Sequence, residues 1–150
     1  MKKIVNILVL CTLMTLIGQN FLLANDDEFR RHNVKIRLYS QEIVFPDSQP
    51  YIDTLGDRLY IPLPYLIEFL GGVYFTSDED KNASLIYYKD SVIEISGNSS
   101  LVKINGEEKT LPRPLILYND EIAAPAAFIT QCLDYQVDWD AGTRHMVIYK

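Results

Sequence analysis

The side chains here with the widest chemical reach are tyrosines. Ten occur, and nine of them, Tyr51, Tyr60, Tyr65, Tyr74, Tyr87, Tyr88, Tyr118, Tyr135 and Tyr149, cluster in or beside two stretches of chain that echo one another. A phenol offers a flat apolar face and a hydroxyl, so a row of exposed rings stacks on sugar faces or anchors a protein partner. Alternation along strands cannot point all of them outward, and at least half are expected in the core or at its edge. Tyr87, Tyr88, Tyr118 and Tyr135 are the candidates for an exposed aromatic binding surface.

Other chemistry finds thinner support. Asp138 and Asp140 alternate around Trp139, so both carboxylates leave one face of a strand and the indole leaves the other. Such a pair suits a hard metal or an acid/base couple, but nothing in the sequence fixes further ligands, and a solvated face opposite a core tryptophan is the simpler expectation. Copper asks for several convergent histidines, whereas this chain has His32 and His145, far apart in sequence. Asp78-Glu79-Asp80 lacks the alternating oxygen ligands and placed glycine of a calcium loop. No serine sits in a Gly-x-Ser-x-Gly turn. Gly71-Gly72 ends a helical pattern instead of opening one, which fits a carboxyl cap and not a phosphate cradle. Catalytic residues, metal ligands and cofactors are therefore all expected to be absent.

The first residues suggest an address. Lys2 and Lys3 precede an apolar run from Ile4 to Ile17, and Leu22-Leu23-Ala24 leads into polar Asn25-Asp26-Asp27-Glu28. This is the layout of a secretory signal peptide, residues 1–24, cut after Ala24. The rival is an uncleaved anchor over Ile4 to Leu23. Cleavage leaves 126 residues, enough for one domain with a core. The chain carries 14 basic and 20 acidic residues, a net −6. Losing Lys2 and Lys3 takes the mature part to 12 and 20, a net −8. Such acidity, without a basic run, is repelled by phosphate backbones, so nucleic acid is not an expected partner, and membrane contact is expected only through an uncleaved signal segment. Of the two cysteines, Cys11 goes with the signal. Cys132 stays in a helix with no basic neighbour in sequence, where it reads as a buried structural thiol.

The elements that would position these residues follow from the echo. In Arg58 to Phe75, Leu59-Tyr60-Ile61 runs into Pro62, then Leu63, Leu66, Ile67 and Leu70 line one helical face before the glycines. In Glu121 to Asp140, Ile122-Ala123-Ala124 runs into Pro125, and Ala126, Ile129, Thr130 and Leu133 occupy the same offsets. A one-residue slip then aligns Val73 with Val137 and Phe75 with Trp139. Around these units, a lead-in at 25–33 reads as flexible. Strands are expected at Val34 to Leu38 and Ile43 to Phe45, joined by a turn at Ser40-Gln41-Glu42, and at Ser84 to Tyr88 and Ser91 to Ile95, joined at Lys89-Asp90. Asn105-Gly106 sets a tight hairpin, and His145 to Tyr149 closes the chain as a strand. The fold class is α+β: a mainly antiparallel sheet wrapped over two short helices, built from a duplicated β-α-β unit with repeats at about 50–89 and 113–150. Val34 to Leu38 is a candidate edge strand.

The stretch Val34 to Lys150 resembles the copper amine oxidase N-terminal-like family, or stalk domain. The carriers are Ile61-Pro62-Leu63, Glu68-Phe69-Leu70-Gly71 and Val73-Tyr74-Phe75 in the first copy, and Ala124-Pro125-Ala126, Leu133 and Val137-Asp138-Trp139-Asp140 in the second. Ile43-Val44-Phe45-Pro46-Asp47 and Val102-Lys103-Ile104-Asn105-Gly106 match further landmarks. There are departures. Pro64 and Ala127 stand where the family has a helical arginine, Phe75-Thr76 replaces Trp-Asp, and Asp134 replaces a glycine. The resemblance implies a noncatalytic module, since the family's name refers to the stalk of an amine oxidase and not to its copper-holding part. The expected function is an exported stalk-like domain that binds a surface protein or a cell-wall glycan, or acts as a spacer. The alternative is a secreted enzyme or metal-dependent protein using acidic residues near Asp138 and Asp140.

Overall fold

Two helices of about two turns each explain why the chain folds where it does. The structure, a computed structural model, describes residues 30–31, 33–55 and 58–150. The signal segment, Cys11, most of the lead-in and His32 lie outside the described residues. Helix α1, Leu63–Phe69, starts behind Pro62, with Pro64 in its first turn where a missing N–H costs nothing. It ends in a full glycine cap: Gly71 takes φ +83°, its N–H donates to the Glu68 carbonyl at 2.9 Å, and the Gly72 N–H donates to the Ile67 carbonyl at 2.8 Å. Helix α2, Ala126–Cys132, starts behind Pro125 and ends with Asp134 at φ +59°.

Each helix is fed by a strand and delivers another. Strands β5 (Arg58–Pro62) and β6 (Val73–Thr76) flank α1, and β12 (Glu121–Pro125) and β13 (Gln136–Asp140) flank α2. Each set is preceded by an antiparallel partner, β4 (Tyr51–Asp53) and β11 (Ile116–Tyr118), and followed by another, β7 (Ala83–Tyr88) and β14 (His145–Tyr149). The two feeding strands lie side by side, antiparallel. Ile61 faces Ala124, with Tyr60 opposite Pro125 and Pro62 opposite Ala123. Ile61 and Ala124 hold the same place in their respective motifs, so the paired strands meet at equivalent positions.

The remaining strands complete three sheets where the sequence led us to expect one. The first runs β4-β5-β12-β11. The second runs β10-β9-β8-β7-β6, with β8 Ser91–Ser96, β9 Leu101–Ile104 and β10 Glu107–Thr110. The third runs β13-β14-β2-β3, with β2 Lys35–Leu38 and β3 Gln41–Ile43. Pairing is antiparallel except between β14 and β2, which run parallel from His145 opposite Lys35 to Ile148 opposite Leu38. The class is α+β, mostly antiparallel β with two short helices. Arg30–Arg31, inside the expected flexible lead-in, form a two-residue strand, β1.

Leu63, Leu66 and Ile67 of α1 and Phe128 and Ile129 of α2 are buried in one contiguous core with Ile86, Ile93, Val102, Leu115, Met146 and Ile148. Leu70 is only partly buried, at the carboxyl cap, and packs on that core. Thr130, expected on the apolar face of α2, is exposed, and Phe128 takes the interior position.

Several expectations need correcting. Strand β2 is not an edge, because β14 covers one side and β3 the other. The β2–β3 turn falls at Tyr39-Ser40, with Tyr39 at φ +52°, which leaves Gln41 and Glu42 in the strand and Val44 outside it. The slip after the helices also disappears. In β6 Val73 and Phe75 point out and Tyr74 points in, while in β13 Gln136 and Asp138 point out and Val137 and Trp139 point in. Inside-outside alternation therefore matches Phe75 with Asp138, not with Trp139.

Candidate functional site

The sheet of β6 to β10 packs one face on the core and leaves the other open. Ser84, Ile86 and Tyr88 of β7, Ile93 and Ile95 of β8 and Val102 of β9 point inward. The alternate residues point out, and the register aligns them in rows. One row reads Phe75, Leu85, Glu94, Lys103, Glu108 across five strands, apolar at one end and charged at the other. The next reads Val73, Tyr87, Val92. Phe75 and Tyr87 are 54% and 45% exposed, yet their rings meet edge-on, 5.8 Å apart at 90°. Beside them lies a concavity of about 570 Å³, lined by Phe75, Leu85 and Leu101, by Glu94 and Lys103, and by Ser77, Ser96 and Ser99. An aromatic wall, a carboxylate and an ammonium from neighbouring strands and several hydroxyls suit it to bind a ligand that is partly apolar and partly hydroxylated.

The four sequence-predicted tyrosines do not line one exposed strip. Tyr87 belongs to the open face. Tyr88, its neighbour in sequence, points the other way and is 5% exposed, because alternation sends consecutive strand residues to opposite faces. Tyr135 is also buried, and the Tyr88 hydroxyl donates to the Tyr135 hydroxyl at 3.0 Å. Burial pushes the Tyr135 phenol up to about 12. Tyr118 is half-buried in a separate aromatic group, its ring 5.1 Å from that of Tyr51, which stacks on Tyr60 at 5.6 Å. Phe75, Leu85 and Leu101 were not foreseen. The alternation of β6 and β7 carries the signal for the first two, once Phe75 is freed from its alignment with Trp139.

The acidic and nucleophilic candidates resolve into structural roles. Asp138 and Asp140 are exposed on the outer face of β13. Asp140 caps the next turn, its Oδ1 accepting from the Gly142 N–H at 2.9 Å and the Thr143 N–H at 3.2 Å. Hydrogen bonds from Thr143 and Gly142 hold its carboxyl below the usual range. Its partner across the ladder is His145, the described histidine. Asp80 accepts from the Asn82 N–H in an exposed turn. Among the described residues no three His, Cys, Asp or Glu side chains gather to hold a metal, so the residues present do not fit copper. Cys132 is half-buried at the edge of the core, not fully buried as expected; its partial burial pushes the thiol up to about 11, although Lys109, unforeseen from the sequence, lies near enough to oppose the shift. At neutral pH that sulfur is a thiol and not a nucleophile.

No curated protein and no solved structure matches the chain. The family model of the copper amine oxidase N-terminal domain matches residues 37–148, which takes in both helices and all three sheets almost entirely. In copper amine oxidases that domain is noncatalytic. The matched span covers about three quarters of the sequence, and the chain belongs to the copper amine oxidase N-terminal domain family.

Proposed function

We propose that the protein is an exported, noncatalytic binding module that holds a cell-wall glycan on the open face of the β6–β10 sheet. The observation that carries this reading is the exposed Phe75–Tyr87 pair beside a groove whose remaining walls are polar. Two apolar rings held at right angles present a stacking surface to a pyranose, and the Glu94–Lys103 pair and the serines supply donors and acceptors for its hydroxyls. Export rests on the Lys2-Lys3 start, the apolar run and Ala24. We also read the two β-α-β arms as copies of one unit. Their common element order, and Gly71 and Asp134 both in the left-handed region, support that reading.

Retention of the purified protein on isolated cell walls tests the function. Phe75→Ala and Tyr87→Ala are each expected to lower retention severalfold without moving the melting temperature, since both side chains are on the surface. Retention unchanged in the double variant would remove the groove from consideration. A second reading has its own observation. Edge strands β10 and β13 carry charges, whereas β6 reads Val-Tyr-Phe-Thr and leaves its outer edge open for a strand of a surface protein. Capture of a soluble surface protein in place of walls, abolished by Thr76→Pro, would favour it.

A further inference from the structure

Two ammonium groups converge on one phenol ring. Lys89, in the two-residue turn between β7 and β8, places its Nζ 5.1 Å from the Tyr88 ring centre and 5.9 Å from that of Tyr135. Lys150 places its Nζ 4.9 Å from the Tyr135 centre, with its side chain only 37% exposed. The rings beneath are held by the Tyr88–Tyr135 hydroxyl contact. Lys89 is the chief cause holding Lys150 below the usual lysine range. Asp134 Oδ2 is 3.9 Å from Lys150 Nζ, on a fully exposed side chain. By contrast Lys81 has Asp120 at 3.3 Å, and Lys109 donates to the Gln131 carbonyl at 2.6 Å.

Two ammonium groups drawn to one ring repel each other even in water. A tyrosine face attracts each cation, which offsets the repulsion and leaves both positive charges available to an anion. An anion seated between the ammonium groups would turn the repulsion into two charge-assisted hydrogen bonds. Lysines act as point charges, and a tetrahedral oxyanion can offer a separate oxygen to each. A planar carboxylate is better matched by arginine's fork.

We propose that Lys89 and Lys150 form a phosphate-binding subsite with the Tyr135 ring as its floor. It shares no residue with the Phe75 groove, so the two can fail separately.

The test is a titration of the purified protein with inorganic phosphate, at ionic strength held constant with chloride, followed by NMR of the backbone amides and lysine side chains. Saturable shifts centred on Lys89, Tyr135 and Lys150 are expected. Lys89→Gln and Lys150→Gln should each weaken binding about tenfold, roughly the loss of one charge-assisted contact, and Asp134→Asn should tighten it by removing the competing carboxylate. Glucose 1-phosphate giving the same shifts would extend the subsite to phosphate esters. A linear, unsaturating response, equal shifts with chloride or with glucose alone, or affinity unchanged in both glutamine variants would overturn the proposal.

Discussion

Tyr87 and Tyr88 are adjacent in sequence and opposite in role, which sets what single substitutions can report. Tyr88 shares its hydroxyl contact with Tyr135 inside the fold, so replacing it tests stability, whereas replacing Tyr87 tests the surface. The interior groups also fix how the protein responds to base. Cys132 moves from 9.0 to about 11 and Tyr135 from 10.0 to about 12, both chiefly through burial. Each is held protonated in the folded state, so the unfolded chain gives up its proton first as pH rises. The contribution is intact below the unfolded values and is lost on the way up through the folded ones. Stability should therefore be flat from neutral pH to about 9 and fall progressively toward pH 12. Urea midpoints across that range check this, and Tyr135→Phe should flatten the upper part of the decline. A Tyr135→Phe profile that superimposes on the wild type would rule out this assignment.

At the scale of elements, the two helix exits do the same job with different residues. Gly71 accepts its left-handed backbone without cost, and Asp134 adopts the same region with a side chain. Asp134→Gly should raise stability by up to about 1 kcal/mol, because the exposed contact with Lys150 contributes little. Gly72 is constrained by space instead. A Cβ there would lie 2.8 Å from Ile67 Cγ2 and 2.9 Å from the Tyr87 carbonyl oxygen, which belongs to the backbone and cannot turn aside. Gly72→Ala should cost about 1 to 3 kcal/mol. Thermal melts of the two variants should move in opposite directions.

Much of this layer was legible. Pro62, the spacing of Leu63, Leu66 and Ile67, and the glycine pair specify α1 locally, and Asn105-Gly106, at φ +52° and +84°, specifies its hairpin. What escaped depends on distance in the chain. Strand β2 reads as an edge because its alternating pattern looks half-buried, and only the parallel partner more than a hundred residues away makes it interior. Phe75 matches Trp139 by residue type as the aromatic end of a copy, but face and not residue type decides equivalence in a strand. The contact between Tyr88 and Tyr135 spans 47 residues and leaves no local trace. The open face was half legible for the same reason, with Tyr87 visible and its companions set by register.

For the whole molecule, the decisive fact is that both helices seal a single core. Leu66 and Ile129 lie in the same buried cluster. Truncating either to Ala should cost about 2 to 5 kcal/mol, a large share of the about 5 to 15 kcal/mol that a domain of this size commands. Unfolding followed by far-UV circular dichroism and by tryptophan fluorescence should coincide in one transition for the wild type and both variants. Two separated transitions would mean that the arms are independent.

The parallel pairing of β2 with β14 has a mechanical corollary. The chain enters the sheet at Lys35 and leaves it at Tyr149, at opposite ends of two strands that point the same way. Tension drawn between those points would slide the strands lengthwise instead of peeling them apart. The Lys35 N–H bond to the Arg144 carbonyl and the Tyr39 N–H bond to the Ile148 carbonyl would then be strained together with those between them. Forced opening is governed by the unfolding rate and not by the equilibrium, so a clasp that must break all at once would give this small fold an endurance under pull that its size alone does not suggest.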